Sequence, residues 1–172
     1  MKVVITGHVS GIGKALTEAF VNYNCVGFDI IQGNDVSEQN TVDKILLECS
    51  DADIFINNAL SNQIDLLNKV HTLWLGQNKT IINISSAITY FCDVIDPVFS
   101  NYHQHKKLLD DTCKQLQTNK LPYVMNVRPS WVDTNLTTSF NEDKINPKDL
   151  ADLILYHINN REKYQVIDIV IS

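Results

Sequence analysis

Apolar residues along the chain follow two alternating rhythms. Short runs rich in β-branched residues, apolar on both faces, read as buried strands: "KVVIT" (2–6), "CVGFDI" (25–30), "DIFINNA" (53–59), "TIINISS" (80–86), "LPYVMNVRP" (121–129) and "YQVIDIVIS" (164–172). Between them, apolar residues recur at helical spacing. Positions 15, 16, 19, 20 and 23 mark a helix over 13–23. A second helix over 37–49 opens on Ser37 as its N-cap, and a third over 62–76 stops at Gly76. A long helix covers roughly 97–118, and a last one over 146–160 has Asn146 as N-cap and Pro147 at its first position.

This alternation predicts an α/β fold: a Rossmann-type, doubly wound parallel sheet of about six to seven strands with helices on both faces. Length fits one domain over 1–172. In such sheets ligands bind at the carboxyl ends of the strands. The places to look are just after residues 6, 29, 57, 86 and 129.

Composition narrows the partners. The net charge is −6 and the only adjacent basic pair is Lys106-Lys107, so nucleic-acid binding has no electrostatic support. No apolar run approaches the roughly 18 residues of a membrane span. Apolar residues begin at Val3 with a glycine turn soon after, so no signal peptide is expected. The four cysteines, at 25, 49, 92 and 113, make no C-x-x-C pair and no zinc-ligand spacing. Free thiols, no metal and a cytoplasmic location are the expectation.

Chemistry concentrates at the strand ends. The first strand runs into "TGHVSGIG" (6–13), three glycines between a strand and a helix. Glycine allows a tight turn and close backbone approach, and a helix N-terminus offers N–H groups to a pyrophosphate. The second strand ends at Asp29, 16 residues after Gly13. A carboxylate there suits the adenosine ribose hydroxyls and repels a 2′-phosphate, which favours NAD over NADP. "NNA" (57–59) ends the third strand with amides that either bridge loops or meet the cofactor ribose. Ser85-Ser86 ends the fourth, with hydroxyls able to hold a substrate oxygen or cap a turn.

Sixteen residues beyond Ser86 stands Tyr102, and four further Lys106, on one helical face. Free tyrosine ionises near pH 10, and a neighbouring cation favours the phenolate. Lowering that value by about three units takes roughly 4 kcal/mol, which a lysine and a cofactor charge could supply together. Tyr102 then serves as a general acid–base, with Ser86 orienting the reacting oxygen.

Together these residues resemble the short-chain dehydrogenase/reductase family, from "TGHVSGIG" through "NNA", "INISS" and "YHQHK" to "VRPSWVDT". The resemblance implies Ser86, Tyr102 and Lys106 as catalytic residues, with Tyr102 and Lys106 also touching the cofactor. It implies cofactor contacts at Gly7, Ser10, Gly11, Ile12, Gly13, Asn57, Asn58 and Ala59. The acidic ribose contact is Asp29, and the adenine contacts are Asp35 and Val36. Pro129, Val132 and Thr134 match the family's nicotinamide segment. The family's fourth catalytic residue, an asparagine, has two candidates here, Asn62 and Asn68. Members commonly pair as dimers or tetramers through two helices, which here carry Trp74, Leu75, Leu108, Leu109 and Leu116; those positions equally suit a core.

Departures are visible. Leu60 replaces the usual glycine after the Asn-Asn-Ala, "SSAITYF" lacks one after the serine, and Pro-Gly has become Pro129-Ser130. Only five residues separate Asp29 from Asp35, too few for a parallel crossover, so one helix is missing and the family's third strand is vestigial or absent. Only 12 residues separate Thr134 from Pro147, so the substrate region is short. His103 and His105 are expected at solvent or at a subunit interface. The stretches 87–98 and 135–140, with Tyr90, Phe91, Phe99 and Phe140 in or beside them, would line the pocket of a small organic substrate.

The implied function is an NAD-dependent oxidoreductase that interconverts a secondary alcohol and a carbonyl. The alternatives are a non-catalytic NAD-binding sensor or scaffold, and an epimerase or dehydratase that uses NAD transiently.

Overall fold

The computed structural model describes residues 1–91 and 99–172. Six parallel strands form one sheet: β1 (Lys2–Thr6), β2 (Asn24–Phe28), β3 (Ile54–Asn57), β4 (Thr80–Ile84), β5 (Tyr123–Pro129) and β6 (Asp168–Ile171). Their order is β2-β1-β3-β4-β5-β6. The chain steps outward from β1 to β2, then returns to β1's other side at β3. This reversal puts the topological switch point between the ends of β1 and β3.

The helices are α1 (Gly11–Ala19), α2 (Gln39–Cys49), α3 (Gln63–Leu73), the single turn α4 (Ile88–Phe91), α5 (Ser100–Leu116) and α6 (Pro147–Asn159). The sheet is buried on both faces, which explains why its strands read as apolar runs rather than alternating ones. One face packs Val3, Ile5, Ile56 and Met125 against Leu16 of α1, Phe20 just after it, and Ile154 of α6. The other packs Val4, Phe55 and Ile81 against Ile45 of α2, Leu66 and Val70 of α3, and Leu109 of α5.

The missing crossover is visible. After β2, Asp29 caps a one-turn 3-10 helix over Ile30–Gln32, and Gly33 closes it in the left-handed region at φ 77°. The chain then enters α2 directly, which leaves β2 as the sheet's terminal strand.

Several expectations need correction. Ser37 is not the α2 cap: Glu38 precedes the first turn without a side-chain cap bond. Ser37 instead donates its N–H and hydroxyl to the Asp35 carboxylate, at 2.9 and 2.6 Å. His103 is buried, not solvent-facing, while His105 is half-buried. Trp74 and Leu109 belong to the core, whereas Leu75 and Leu108 stay exposed. Part of the expected pocket lining, 92–98, lies outside the described residues, as does Cys92. Among the described residues, no helix is long and apolar enough to cross a membrane.

Candidate active site

The glycine loop sits where the sheet reverses. Gly7 takes φ 68° and Gly11 φ 52°, both left-handed, where a side chain is strained. Gly13 has an ordinary φ but no room: a Cβ there would lie 1.9 Å from the Gly7 carbonyl oxygen. The first bond of α1 runs from Lys14 N–H to the Ser10 carbonyl at 3.1 Å. Helix geometry therefore leaves the amides of Gly11, Ile12 and Gly13 for a ligand or water. A pyrophosphate fits this cradle of small residues and free amides.

Neighbouring strand ends brace the loop. Asn58 Nδ2 donates to the carbonyls of Thr6 and Gly7, at 3.1 and 3.0 Å. The Thr6 hydroxyl accepts from the backbone N–H of Asn58 and Ala59, at 3.0 and 3.1 Å. Asp29 is buried; its carboxylate accepts from Val9 N–H in the loop and from Ile31 N–H, each at 3.0 Å. Each carboxylate oxygen keeps a second lone pair for a ribose hydroxyl. The Asp35 carboxyl is held below its ordinary range by its two bonds from Ser37. Val36 is buried, and its carbonyl accepts from Asn62 Nδ2 at 2.7 Å. Across the site, the Thr134 methyl would lie 3.1 Å from a Cβ on Gly11, so the loop after β5 meets the glycine loop. Pro129 and Val132 lead to it and are buried.

Asn57 turns the other way. It is fully buried, and its amide begins a row across three strands. Asn57 pairs in register with Asn83, and Asn83 with Asn126. Asn57 Nδ2 donates to Asn83 at 3.0 Å, Asn83 Nδ2 to Asn126 at 3.2 Å, and Asn126 Nδ2 to the Asp110 carboxylate at 2.9 Å. Asn57 Nδ2 also donates to the Gln63 carbonyl at 2.8 Å, and its Oδ1 is buried without a hydrogen-bond partner among the described residues.

Helix α5 carries Tyr102, Lys106 and Asp110 at successive turns of one face. Lys106 Nζ stands 5.5 Å from the Tyr102 ring centroid. Tyr102 is 38 % exposed as a residue, yet desolvation of its phenol raises its pKa, the Ser86 side chain nearby pulls the other way, and the Asp110 charge adds to the rise. The net direction is upward, the reverse of the expectation from Lys106 alone. Lys106 is itself 1 % exposed, and burial pulls its pKa down to about 8. Its ammonium donates to Gln63 Oε1 at 2.7 Å and to the Ile84 carbonyl at 3.0 Å. An ammonium has three N–H donors, so one remains.

Neither asparagine candidate reaches Lys106. Asn62 is held by Val36, and Asn68 is exposed on α3. The α3 residue that meets Lys106 is Gln63. Its Nε2 donates to the carbonyls of Asn57 and Ile84, at 2.9 and 3.0 Å, which fixes its Oε1 toward Lys106. The sequence gives no local sign of this, since an amide at a helix start resembles a surface residue. Asp110 was also missed, although a carboxylate two turns after Tyr102 on an inward face was a readable signal.

Aromatic rings gather beside the site. Trp131 and Phe140 lie 4.5 Å apart between centroids, and Phe99, one turn before Tyr102, lies 6.3 and 6.0 Å from them. All three are half-buried and belong to neither core. The Ala87 N–H bonds the Pro129 carbonyl at 2.9 Å, which joins this loop to the Ser86 turn.

No protein-family model matches the sequence, and no curated protein matches it. Solved structures do resemble the fold. A short-chain dehydrogenase/reductase described as a glucose/ribitol dehydrogenase, from Brucella melitensis, superposes with a TM-score of 0.82 at 14% identity, covering 99% of this chain and 94% of that one. A 4-hydroxyisoleucine dehydrogenase complexed with NADH gives 0.79 at 19% identity, covering 100% and 97%. A short-chain dehydrogenase from Burkholderia cenocepacia in complex with NADP gives 0.78 at 14% identity, covering 99% and 87%. The chain therefore has the Rossmann-type fold of the short-chain dehydrogenases/reductases.

Proposed function

We propose that this protein is an NAD(H)-dependent oxidoreductase that interconverts a secondary alcohol and a carbonyl on a small organic substrate. The observation that carries the reading is the placement of Tyr102 and Lys106 on one face of α5, with Lys106 Nζ 5.5 Å from the Tyr102 ring and the Ser86 side chain near enough to the phenol to pull its pKa down. The glycine loop and Thr134 meet at Gly11, at the same carboxyl ends of the strands.

The amides of Gly11, Ile12 and Gly13 would hold the pyrophosphate, and Asp29 a ribose. A buried carboxylate opposes a 2′-phosphate, which favours NAD over NADP. The nicotinamide, when bound, supplies or accepts the hydride. Tyr102 Oη takes a proton from the substrate hydroxyl or gives one to its carbonyl oxygen. Ser86 Oγ accepts from Ile88 N–H at 3.3 Å, which leaves its own proton for Tyr102 or the substrate oxygen. The ammonium of Lys106 stabilises the phenolate and offers its third N–H to a cofactor hydroxyl. Phe99, Trp131 and Phe140 would give the substrate an apolar wall. A cytoplasmic homodimer, using the exposed Leu75 and Leu108, belongs to the same reading.

A second reading has its own support. Between Thr134 and Pro147 the chain has only one 3-10 turn, Asn135–Thr137, as local structure. So little cover over a substrate also suits an NAD-binding sensor or scaffold.

Titration with NADH and NADPH, followed by nicotinamide fluorescence, tests both. Tighter NADH binding, with carbonyl reduction lost in Tyr102→Phe, supports the enzyme. Binding without turnover on any carbonyl supports the sensor, and binding of neither cofactor overturns both.

A further inference from the structure

We propose that Asp110, through Thr89, tethers the Ser86 turn to the helix that bears Tyr102 and Lys106, and is thereby a positioning residue for the reaction. This rests on the function proposed above. Ser86 and Tyr102 come from different elements. Their alignment depends on how the short turn after β4 is held against α5.

That turn is small. Ser86 Oγ accepts from Ile88 N–H at 3.3 Å, and the Ser86 carbonyl faces Thr89 N–H at 3.4 Å and the Thr89 hydroxyl at 3.0 Å. Tyr90 N–H to the Ala87 carbonyl and Ala87 N–H to the Pro129 carbonyl, each at 2.9 Å, complete the turn and join it to β5, but a four-residue helix is weak alone. Its side-chain bond to α5 is from Thr89 Oγ1 to Asp110 Oδ2, at 2.6 Å. A hydroxyl has one proton, and the carboxylate is the stronger acceptor, so that proton goes to Asp110. Asp110 is held in turn: its other oxygen accepts from Asn126 at 2.9 Å, at the end of the asparagine row.

A plainer role for Asp110 is counter-ion to buried cations. Arg128 lies 3.8 Å away on β5, but its guanidinium already pairs through two nitrogens with Asp168 on β6. Lys106 on its own helix donates to two neutral acceptors. The shortest contact of Asp110 is thus with a neutral hydroxyl in the Ser86 turn, which charge balance does not require. The other titratable neighbours are Tyr102 and the Cys113 thiol on α5.

Thr89→Val removes the hydroxyl at constant shape, and Thr89→Ser keeps it. Thr89→Val should lower kcat by roughly tenfold to a hundredfold, the scale of a small misplacement of catalytic groups. The NADH dissociation constant should stay unchanged, because Thr89 is not in the cofactor cradle. Thr89→Ser should restore kcat. Full kcat in Thr89→Val, or no recovery in Thr89→Ser, overturns the positioning role. Asp110→Asn should also move the pH limb of kcat/KM to lower pH, since the Asp110 charge raises the Tyr102 pKa. A second measurement needs no turnover: urea midpoints of Thr89→Val, Asp110→Asn and the double variant. A coupled pair gives a double shift smaller than the two singles combined, and additive shifts overturn the tether. A wild-type protein with no turnover sinks the oxidoreductase, while the midpoints still decide the tether.

Discussion

Gln63 Oε1 accepts a 2.7 Å hydrogen bond from the ammonium of Lys106, deep in the protein and away from water. The consequence is a lysine whose pKa falls to about 8, against an ordinary value of 10.5. The folded state therefore releases the proton before the unfolded state does. Between those two pH values the unfolded chain binds more protons, so stability from this group rises with pH through that window. Below it, the buried charge costs about 3 kcal/mol relative to the neutral amine. In urea unfolding, the wild type should gain on Lys106→Met between pH 7 and pH 10. A constant difference across that range would show that Lys106 does not titrate in the fold.

Asn83 both accepts from Asn57 and donates to Asn126, and all three are buried. Asn83→Leu leaves a donor and an acceptor stranded on either side. The expected loss is about 2–4 kcal/mol, from two unsatisfied groups at roughly 1–2 each. Chemical denaturation measures it, and a loss under about 1 kcal/mol would mean that water repairs the row.

Gly13→Ala places a methyl group 1.9 Å from the Gly7 carbonyl. Backbone cannot yield cheaply there, so the loop must open. NADH affinity should fall by more than about tenfold, or 1.4 kcal/mol. The same change at Gly33, where no atom lies within 4 Å of a Cβ, strains only its left-handed backbone and should leave NADH binding intact.

Burial and Asp110 raise the phenol of Tyr102. A raised pKa keeps the phenol protonated through neutral pH in the free protein. Alcohol oxidation needs the phenolate, so kcat/KM in that direction should climb with pH and level off on the alkaline side. Carbonyl reduction needs the proton and should fall there instead. Tyr102→Phe should remove both limbs and lower turnover by at least about a hundredfold. Oxidation that is flat from pH 6 to 10 would exclude Tyr102 as the base.

The sheet and its helices were legible because buried strands write continuous β-branched runs and amphipathic helices write a 3.6-residue period. The loss of one crossover could be read from the five residues between Asp29 and Asp35. Asn57, Gln63 and Asp110 were harder, because their roles come from long-range register. Gln63 meets Lys106 across 43 positions of chain, and Asn83 meets Asn126 across the same span. Spacing along one helix revealed the cation four residues from Tyr102, but not the desolvation or the Asp110 charge that raise its pKa.

The strand that leads to Asp29 is the last in the sheet. An adenosine seated at its end would have protein on one side and open water on the other. Such a half-walled seat grips the adenine weakly, so recognition must lean on the pyrophosphate cradle and the nicotinamide end. Fragments should reveal this imbalance: AMP should be a poor competitor for NADH, and ADP-ribose a far better one.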